Sequence, residues 1–261
     1  MSDDTGTVFS ELHVGGVLLL TLSFPARRNA ISMRMRAVLE ERLEQAQTDP
    51  ACRAIVLTGE GEHFCSGGDL TSFAGVTSSG GRLRMQNLHR IIRMMAAGRK
   101  PIVAAVEGAA MGAGLGLAAA CDVIVASQTA KFSVPFARFN LVPDYGGMWT
   151  LTNRIGMGRT RLLVMSGRTI RAEEAERIGL VEQIVPAGTA LAEALALAGQ
   201  IAKGAPLSHE YLKAVLARGP AGLEDVLAAE ADAQGVLYGT EDYVEGYTSF
   251  FEKREPQFKG Q

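Results

Sequence analysis

The stretch from Ile102 to Asp122, IVAAVEGAAMGAGLGLAAACD, constrains this chain more than any other. Its apolar run, Ile102 to Val106, ends at Glu107-Gly108. A short apolar run bounded by charge and glycine reads as a buried strand. Gly112, Ala113, Gly114, Leu115 and Gly116 then open a small-residue helical stretch that runs to Cys121. A helix with almost no side chains in its first turn is costly, since each glycine loses about 1 kcal/mol against alanine. What it offers is access: a ligand's polar atom can approach bare N–H groups and the positive end of the helix dipole. Two other readings compete. Small residues also permit tight helix packing. A dinucleotide loop fails because Leu117 stands where G-x-G-x-x-G needs its third glycine, and the nearest acid, Asp122, comes too early.

The remaining composition excludes several classes. With 261 residues, 47% of them hydrophobic and 21% charged, the chain has the makeup of a globular protein with one sizeable core. A formal net charge of −2 and the absence of any long basic run give no electrostatic support for a nucleic-acid or membrane partner. Cys52, Cys65 and Cys121 lie far apart, and His13, His63, His89 and His209 show no ligand spacing, so no metal or disulfide framework is expected. The opening Met1-Ser2-Asp3-Asp4 is acidic, unlike a signal peptide, and nothing approaches the run of about 20 apolar residues that a membrane span needs. The expectation is a cytoplasmic protein.

Along the chain, Val14 to Ser23 reads as strands broken at Gly15-Gly16, followed by a loop at Pro25 to Asn29 and a helix over Met33 to Gln47. A buried strand at Ala54 to Leu57, a Gly/Ser stretch from Gly75 to Gly81 and a helix over Arg82 to Ala97 lead to the central strand. Val123 to Ala126 is a further strand. This strand–strand–helix rhythm predicts an α/β core over residues 1–186. From 187 to 261 the pattern is nearly all helical, with breaks at Gly204-Ala205-Pro206 and Gly219-Pro220, and predicts an oligomerisation region.

Several motifs occurring in order carry a family resemblance. They are Arg27-Arg28-Asn29-Ala30, Phe64-Cys65-Ser66-Gly67-Gly68-Asp69-Leu70, Lys100-Pro101, Gly108 to Gly116, Ala119 to Asp122, Leu141 to Gly147, and Glu173-Glu174-Ala175 with Gly179-Leu180-Val181. Together the chain resembles the crotonase superfamily, the enoyl-CoA hydratase/isomerase fold, over nearly its whole length. The resemblance implies a spiral of ββα units, a helical C-terminal trimerisation region, and a homotrimer or dimer of trimers. It also implies acyl-coenzyme A thioesters as substrates, with no permanently bound cofactor, since coenzyme A enters with the substrate. Two backbone N–H donors holding the thioester oxygen are implied at Ser66 and Ala113. The same matching puts Arg27, Ala30, Ser66, Gly68, Asp69 and Leu70 along the coenzyme, with Phe250 and Lys253 reaching the coenzyme of a neighbouring subunit. Asp69, alternatively, satisfies loop N–H groups.

The carboxylates decide the reaction. Family hydratases use two glutamates, and by matching their positions are held here by Gly116 and Phe136, neither of which moves a proton. One acid stands in the right neighbourhood, Asp144. An aspartate at that position marks single-carboxylate branches of the superfamily, and the surrounding sequence looks most like the phenylacetate-pathway isomerase branch. A 1,3-allylic isomerisation needs one base, desolvated so that its pKa rises toward working pH. Val134, Phe136, Phe139, Leu141 and Trp149 are the expected apolar walls, with Gly112 and Gly116 beside the substrate. Three alternatives stay open: Asp144 as a helix cap for Tyr145 to Asn153, a hydratase using Glu107, Glu62 or Glu60, and a non-catalytic acyl-CoA-binding trimer. A dehalogenase is disfavoured because Phe136 stands where that branch has tryptophan, and Met85 and Gln86 stand where it has histidine.

Overall fold

The computed structural model describes residues 6–219 and 222–261. The acidic opening Met1 to Asp4 and Pro220 of the second predicted break lie outside the described residues. The chain begins with a hairpin, β1 (Thr7–His13) and β2 (Val17–Ser23), followed by α1 (Met33–Thr48), β3 (Ala54–Gly59) and α2 (Ser78–Ala97). Next come β4 (Ile102–Val106), β5 (Ala109–Met111), α3 (Ala113–Ala120), β6 (Val123–Ser127) and β7 (Lys131–Ser133). The rest is α4 (Gly147–Ser166), β8 (Thr169–Arg171), α5 (Ala172–Arg177), β9 (Gln183–Val185) and the helices α6 (Ala190–Ala202), α7 (Pro206–Leu216), α8 (Leu223–Leu237) and α9 (Glu241–Glu252).

A six-stranded sheet in the order β1-β2-β3-β4-β6-β9 is parallel throughout except for the β1–β2 hairpin. Parallel strands covered on both faces read as unbroken apolar runs, and β4 is buried at every residue. Period-two alternation sorts those side chains. Ile55, Leu57, Ile102, Ala104 and Val106 enter the main core, while Ala54, Val56, Val103 and Ala105 face the other way. That second face is covered by Ala190, Ala194, Ala198 and Ala202 of α6, spaced four apart on one helical stripe. The first helix after residue 187, α6, thus sits on the sheet. The fold is the α/β crotonase-like spiral of repeating ββα units with a helical C-terminal region.

A second, three-stranded sheet, β5-β7-β8, stands beside the first and builds the site. The loop after β3 docks on it: Cys65 N–H donates to the Ala109 carbonyl and Met111 N–H to the Cys65 carbonyl, each at 2.9 Å. Two local readings were off. β1, mostly exposed at the sheet edge, lacked a buried pattern to reveal it. The helix predicted from Arg82 begins earlier, at Ser78 inside the Gly/Ser stretch, where the Thr77 hydroxyl accepts from Gly80 N–H at 3.1 Å.

Candidate active site

Gly112 sits at φ 53°, ψ −117°, a backbone conformation that disfavours side chains, and its N–H donates to the Ser133 carbonyl at 2.9 Å. The chain turns there, so Ala113 becomes the first residue of α3, a helix buried along its whole length. The Ala113 N–H is one of the donors a helix start leaves without an internal partner. Among the described residues it has none, and Ala113 lines a cavity of about 370 Å³.

The second donor differs from the expected one. Ser66 N–H donates to the Arg28 carbonyl at 2.9 Å and the Ser66 hydroxyl to the Arg27 carbonyl at 2.8 Å, so Ser66 is spent on the neighbouring loop. Ile31 pairs across the same loop: its N–H donates to the Gly67 carbonyl at 2.7 Å, and Asp69 N–H donates to the Ile31 carbonyl at 3.1 Å. This parallel bridge turns the intervening Gly68 N–H away from Ile31, without a partner among the described residues, and Gly68 lines the cavity. Gly67, at φ 116°, lies close against the other donor: a side chain added there would start 3.9 Å from Ala113 N. The pair of free N–H groups is Gly68 and Ala113.

Arg27, Ala30, Ser66, Asp69 and Leu70 line the same cavity, as do Gly112, Phe136, Phe139, Leu141 and Asp144. Three expected wall residues do not. Trp149 lies on α4 beyond the cavity, its indole nitrogen 3.3 Å from where a side chain at Gly219 would begin. Val134 is buried in the main core. Gly116 is buried behind the lining, and a side chain on it would meet the Tyr145 Cβ at 2.8 Å and the Asp144 carbonyl at 3.1 Å. Phe250 and Lys253, at the exposed end of α9, are not brought to the cavity by their own chain. A larger groove of about 690 Å³ runs beside α9, but its main charges are mutually paired, Arg254 with Glu245 and with Glu252.

Asp144 is presented by strained backbone. Tyr145 follows it at φ 49°, an uncommon conformation for a bulky residue, and Gly146 at φ 69°. The fully buried Tyr145 ring fixes this turn. Gly146, not Asp144, stands at the cap position of α4, and no side chain caps it, so the capping reading of Asp144 fails. Asp144 Oδ1 is buried with no hydrogen-bond partner. Burial pushes its carboxyl up to about 6, against the lowering pull of the Arg36 and Arg84 guanidinium groups.

The other acids are spent or absent. Asp69 accepts from Thr71 N–H at 3.1 Å and the Thr71 hydroxyl at 2.9 Å, capping a short turn. Glu107 accepts from Gly188 and Ala190 N–H groups at 3.0 and 3.1 Å at the start of α6. Glu60 pairs with the Ser23 hydroxyl. Neither Glu60, Glu62 nor Glu107 lines the cavity. Arg36 was missed altogether: it is 6% exposed, and none of its three guanidinium nitrogens has a partner among the described residues. The signal was its place on α1, three and seven residues before the buried Leu39 and Leu43.

Two backbone donors and a desolvated carboxylate lining one cavity have the chemistry to stabilise an enolate and move a proton. Sequence comparison agrees with this geometry. The Enoyl-CoA hydratase/isomerase family matches residues 13–261, and the chain belongs to that family. It is 37% identical over 247 residues to the 2,3-dehydroadipyl-CoA hydratase of Escherichia coli, covering 94% of this chain and 95% of that protein. To the 1,2-epoxyphenylacetyl-CoA isomerase of the same organism it is 34% identical over 250 residues, covering 94% and 95%. A crystal structure of an enoyl-CoA hydratase from Polaromonas sp. JS666 superposes with a TM-score of 0.90 at 36% identity, covering 97% of this chain and 100% of that one. The protein is an acyl-CoA-binding enzyme of the crotonase superfamily. Hydratase is the commoner word in the names of its relatives.

Proposed function

We propose that this enzyme is an enoyl-CoA isomerase in which Asp144 moves the proton and the N–H groups of Gly68 and Ala113 hold the thioester oxygen. One observation carries the reading: Asp144 lines the cavity with its Oδ1 buried and unpartnered among the described residues, whereas the other lining carboxylate, Asp69, is bonded to Thr71; the family resemblance puts Gly116 and Phe136 at the positions of the two hydratase glutamates. Asp144 takes a proton from the α- or γ-carbon of the bound thioester. The charge passes to the thioester oxygen, between two N–H donors that need no reorganisation. The protonated Asp144 then returns the proton at the other carbon, and the double bond has moved by one position with no net exchange of atoms. A carboxyl titrating near 6 is ionised at neutral pH yet basic enough to share a proton with an acidified carbon.

A hydratase is the second reading, favoured by the names of relatives such as the 2,3-dehydroadipyl-CoA hydratase. It requires Asp144 alone both to orient water and to supply the α-proton. One experiment separates the two: wild type and Asp144→Asn are incubated with 3-enoyl-CoA and with trans-2-enoyl-CoA, scoring migration and hydration separately. Under the isomerase reading migration is fast and collapses at least ~10²-fold in Asp144→Asn, the weight of a positioned general base. Near-normal migration by the variant sinks the assignment.

Assembly belongs to the same reading. Tyr243, Tyr247, Phe250 and Phe251 form a chain of ring contacts along α9 that is exposed in the single chain. A homotrimer or pair of trimers would cover such faces and bring Phe250 and Lys253 to a neighbour's coenzyme, with a core unit of 1–186 and a tail of 187–261 that associates. A monomer by light scattering at micromolar concentration would remove that part.

A further inference from the structure

Arg36 is the most anomalous charge in the molecule. A buried guanidinium carries five N–H donors and normally finds carboxylates or carbonyls for them. Here Nε, Nη1 and Nη2 are all buried and unpartnered among the described residues. Its surroundings explain where it sits. Nη2 lies 3.7 Å from the point where a side chain on Gly68 would begin, so the guanidinium stands directly behind that cavity-lining residue. Its central carbon is 5.7 Å from the centroid of the Tyr145 ring, within range of a cation–π contact. Tyr145 is bonded to Asp144, whose Oδ1 is likewise buried without a partner. The Tyr145 hydroxyl is a third such group. Buried charges persist when an opposite charge or a π face compensates them, and Asp144 with Tyr145 supplies both.

We propose that Arg36 is a positioning residue for Asp144: from behind the cavity wall it holds the Tyr145 ring of the turn that presents the carboxylate and supplies the counter-charge. Arg36 does not line the cavity, whereas Gly68 and Phe73 do. The groups acting on Asp144 come from each element packed around it. Arg36 on α1 and Arg84 on α2 act on it through their charge without ion-pair contact, while the Cys65 thiol and the Tyr145 hydroxyl are the neutral titratable neighbours. Arg84 is committed elsewhere, bonded to the Ser72 carbonyl at 2.9 Å and hydroxyl at 2.7 Å and stacked 4.8 Å from the Phe73 ring centroid. Arg36 has no hydrogen-bond partner among the described residues, which makes it the principal counter-charge.

The inference rests on the role given to Asp144 in catalysis, and its test reads Asp144 directly. In full-length protein carrying ¹³C-labelled aspartate carboxyls, the Asp144 resonance is identified by its loss in Asp144→Asn. It is titrated in wild type, Arg36→Met, Arg36→Gln and Arg36→Lys, with circular dichroism verifying the fold. Both neutral variants should raise the Asp144 midpoint by about one pH unit, since removing a nearby opposite charge disfavours the carboxylate. Arg36→Lys should restore most of the shift. Isomerisation should move with it: the acid limb of the pH–rate profile shifts upward, lowering kcat about tenfold well below the midpoint, with KM changed little. Arg36→Met preserves much of the side-chain volume, and replacing a buried ion by an apolar residue is often neutral for stability; either neutral variant that folds decides the matter. An unmoved Asp144 midpoint overturns the proposal. Full migration activity in Asp144→Asn would instead overturn the catalytic reading and leave the carboxyl titration to judge Arg36.

Discussion

Two polar seams cross this core, and they are built in opposite ways. At one, Asp122 accepts from the Ile102 N–H at 2.7 Å and from Lys213, whose ammonium also donates to the Met95 carbonyl at 2.9 Å. Lys213 is 6% exposed, and every contact there ties β4, α2 and α7 together. At the other, Asp144 Oδ1, Arg36 and the Tyr145 hydroxyl are buried without hydrogen bonds, next to the two open N–H groups of Gly68 and Ala113. Saturated polar groups hold a fold, because each exchanges its water for a fixed partner. Open ones cost stability and persist where a substrate will complete them. What distinguishes the open groups here from isolated ones such as Gln47 Nε2 and Thr160 Oγ1 is that they gather around one cavity.

Breaking the saturated seam should give the largest effect. Lys213→Ala strips Asp122 of its partner and leaves a hole, and removing one half of a buried pair costs about 3–5 kcal/mol. The Asp122 side chain is 30% exposed, so the lower end applies. Thermal unfolding should fall by roughly 10 °C, with the pH–rate profile of the surviving enzyme in place. A fall of under ~2 °C would deny the seam its structural role.

The open side should respond in rate rather than stability. Ala113→Pro deletes one N–H at the first position of α3, where proline is tolerated. The turnover of acyl-CoA should drop 10²–10³-fold, about the weight of one oxyanion donor, with little change in melting temperature. Near-normal turnover by a folded variant would make the glycine-rich turn a packing device.

What was legible in the sequence follows the same division. The strand–turn–helix from Ile102 to Cys121 is local, so its apolar run and glycines declared it. The choice between Ser66 and Gly68 was not local. It depends on the pairing of that loop with Arg28 and Ile31, which decides which N–H points outward. Trp149 is close to Asp144 in sequence but not in the cavity, because α4 carries it toward Gly219. Arg36 escaped notice because an arginine on an amphipathic helix ordinarily lies on the wet face. Asp144 stood out because an acid appeared where the surrounding positions, Gly116 and Phe136, had none.

Neutralising the open carboxylate should make the protein more stable. In the folded chain Asp144 titrates near 6, above its ordinary value of 3.8. The native state therefore holds its proton more tightly than the unfolded chain, and stability is lost as pH rises between those two values. Asp144→Asn resembles the neutral acid, so it should gain at most about 3 kcal/mol at pH 8 and nothing near pH 4. Melting temperatures at the two pH values check this, and an equal shift at both would mean that charge burial is not the cause.

The smallest effect tests whether the site could have been a two-glutamate hydratase. Gly116→Glu restores an acid at the first of the two matching positions, but the space it needs is taken. Its Cβ would lie 2.8 Å from the Tyr145 Cβ and 3.1 Å from the Asp144 carbonyl, both in a segment already held at positive φ. Overpacking of this kind typically costs 1–3 kcal/mol. The displacement falls on the turn that aims Asp144, so migration should weaken along with stability, and no hydration should appear against trans-2-enoyl-CoA. If Gly116→Glu gained hydratase activity while keeping its melting temperature, the pocket would have room for a second acid, and the single-carboxylate reading would lose its steric basis.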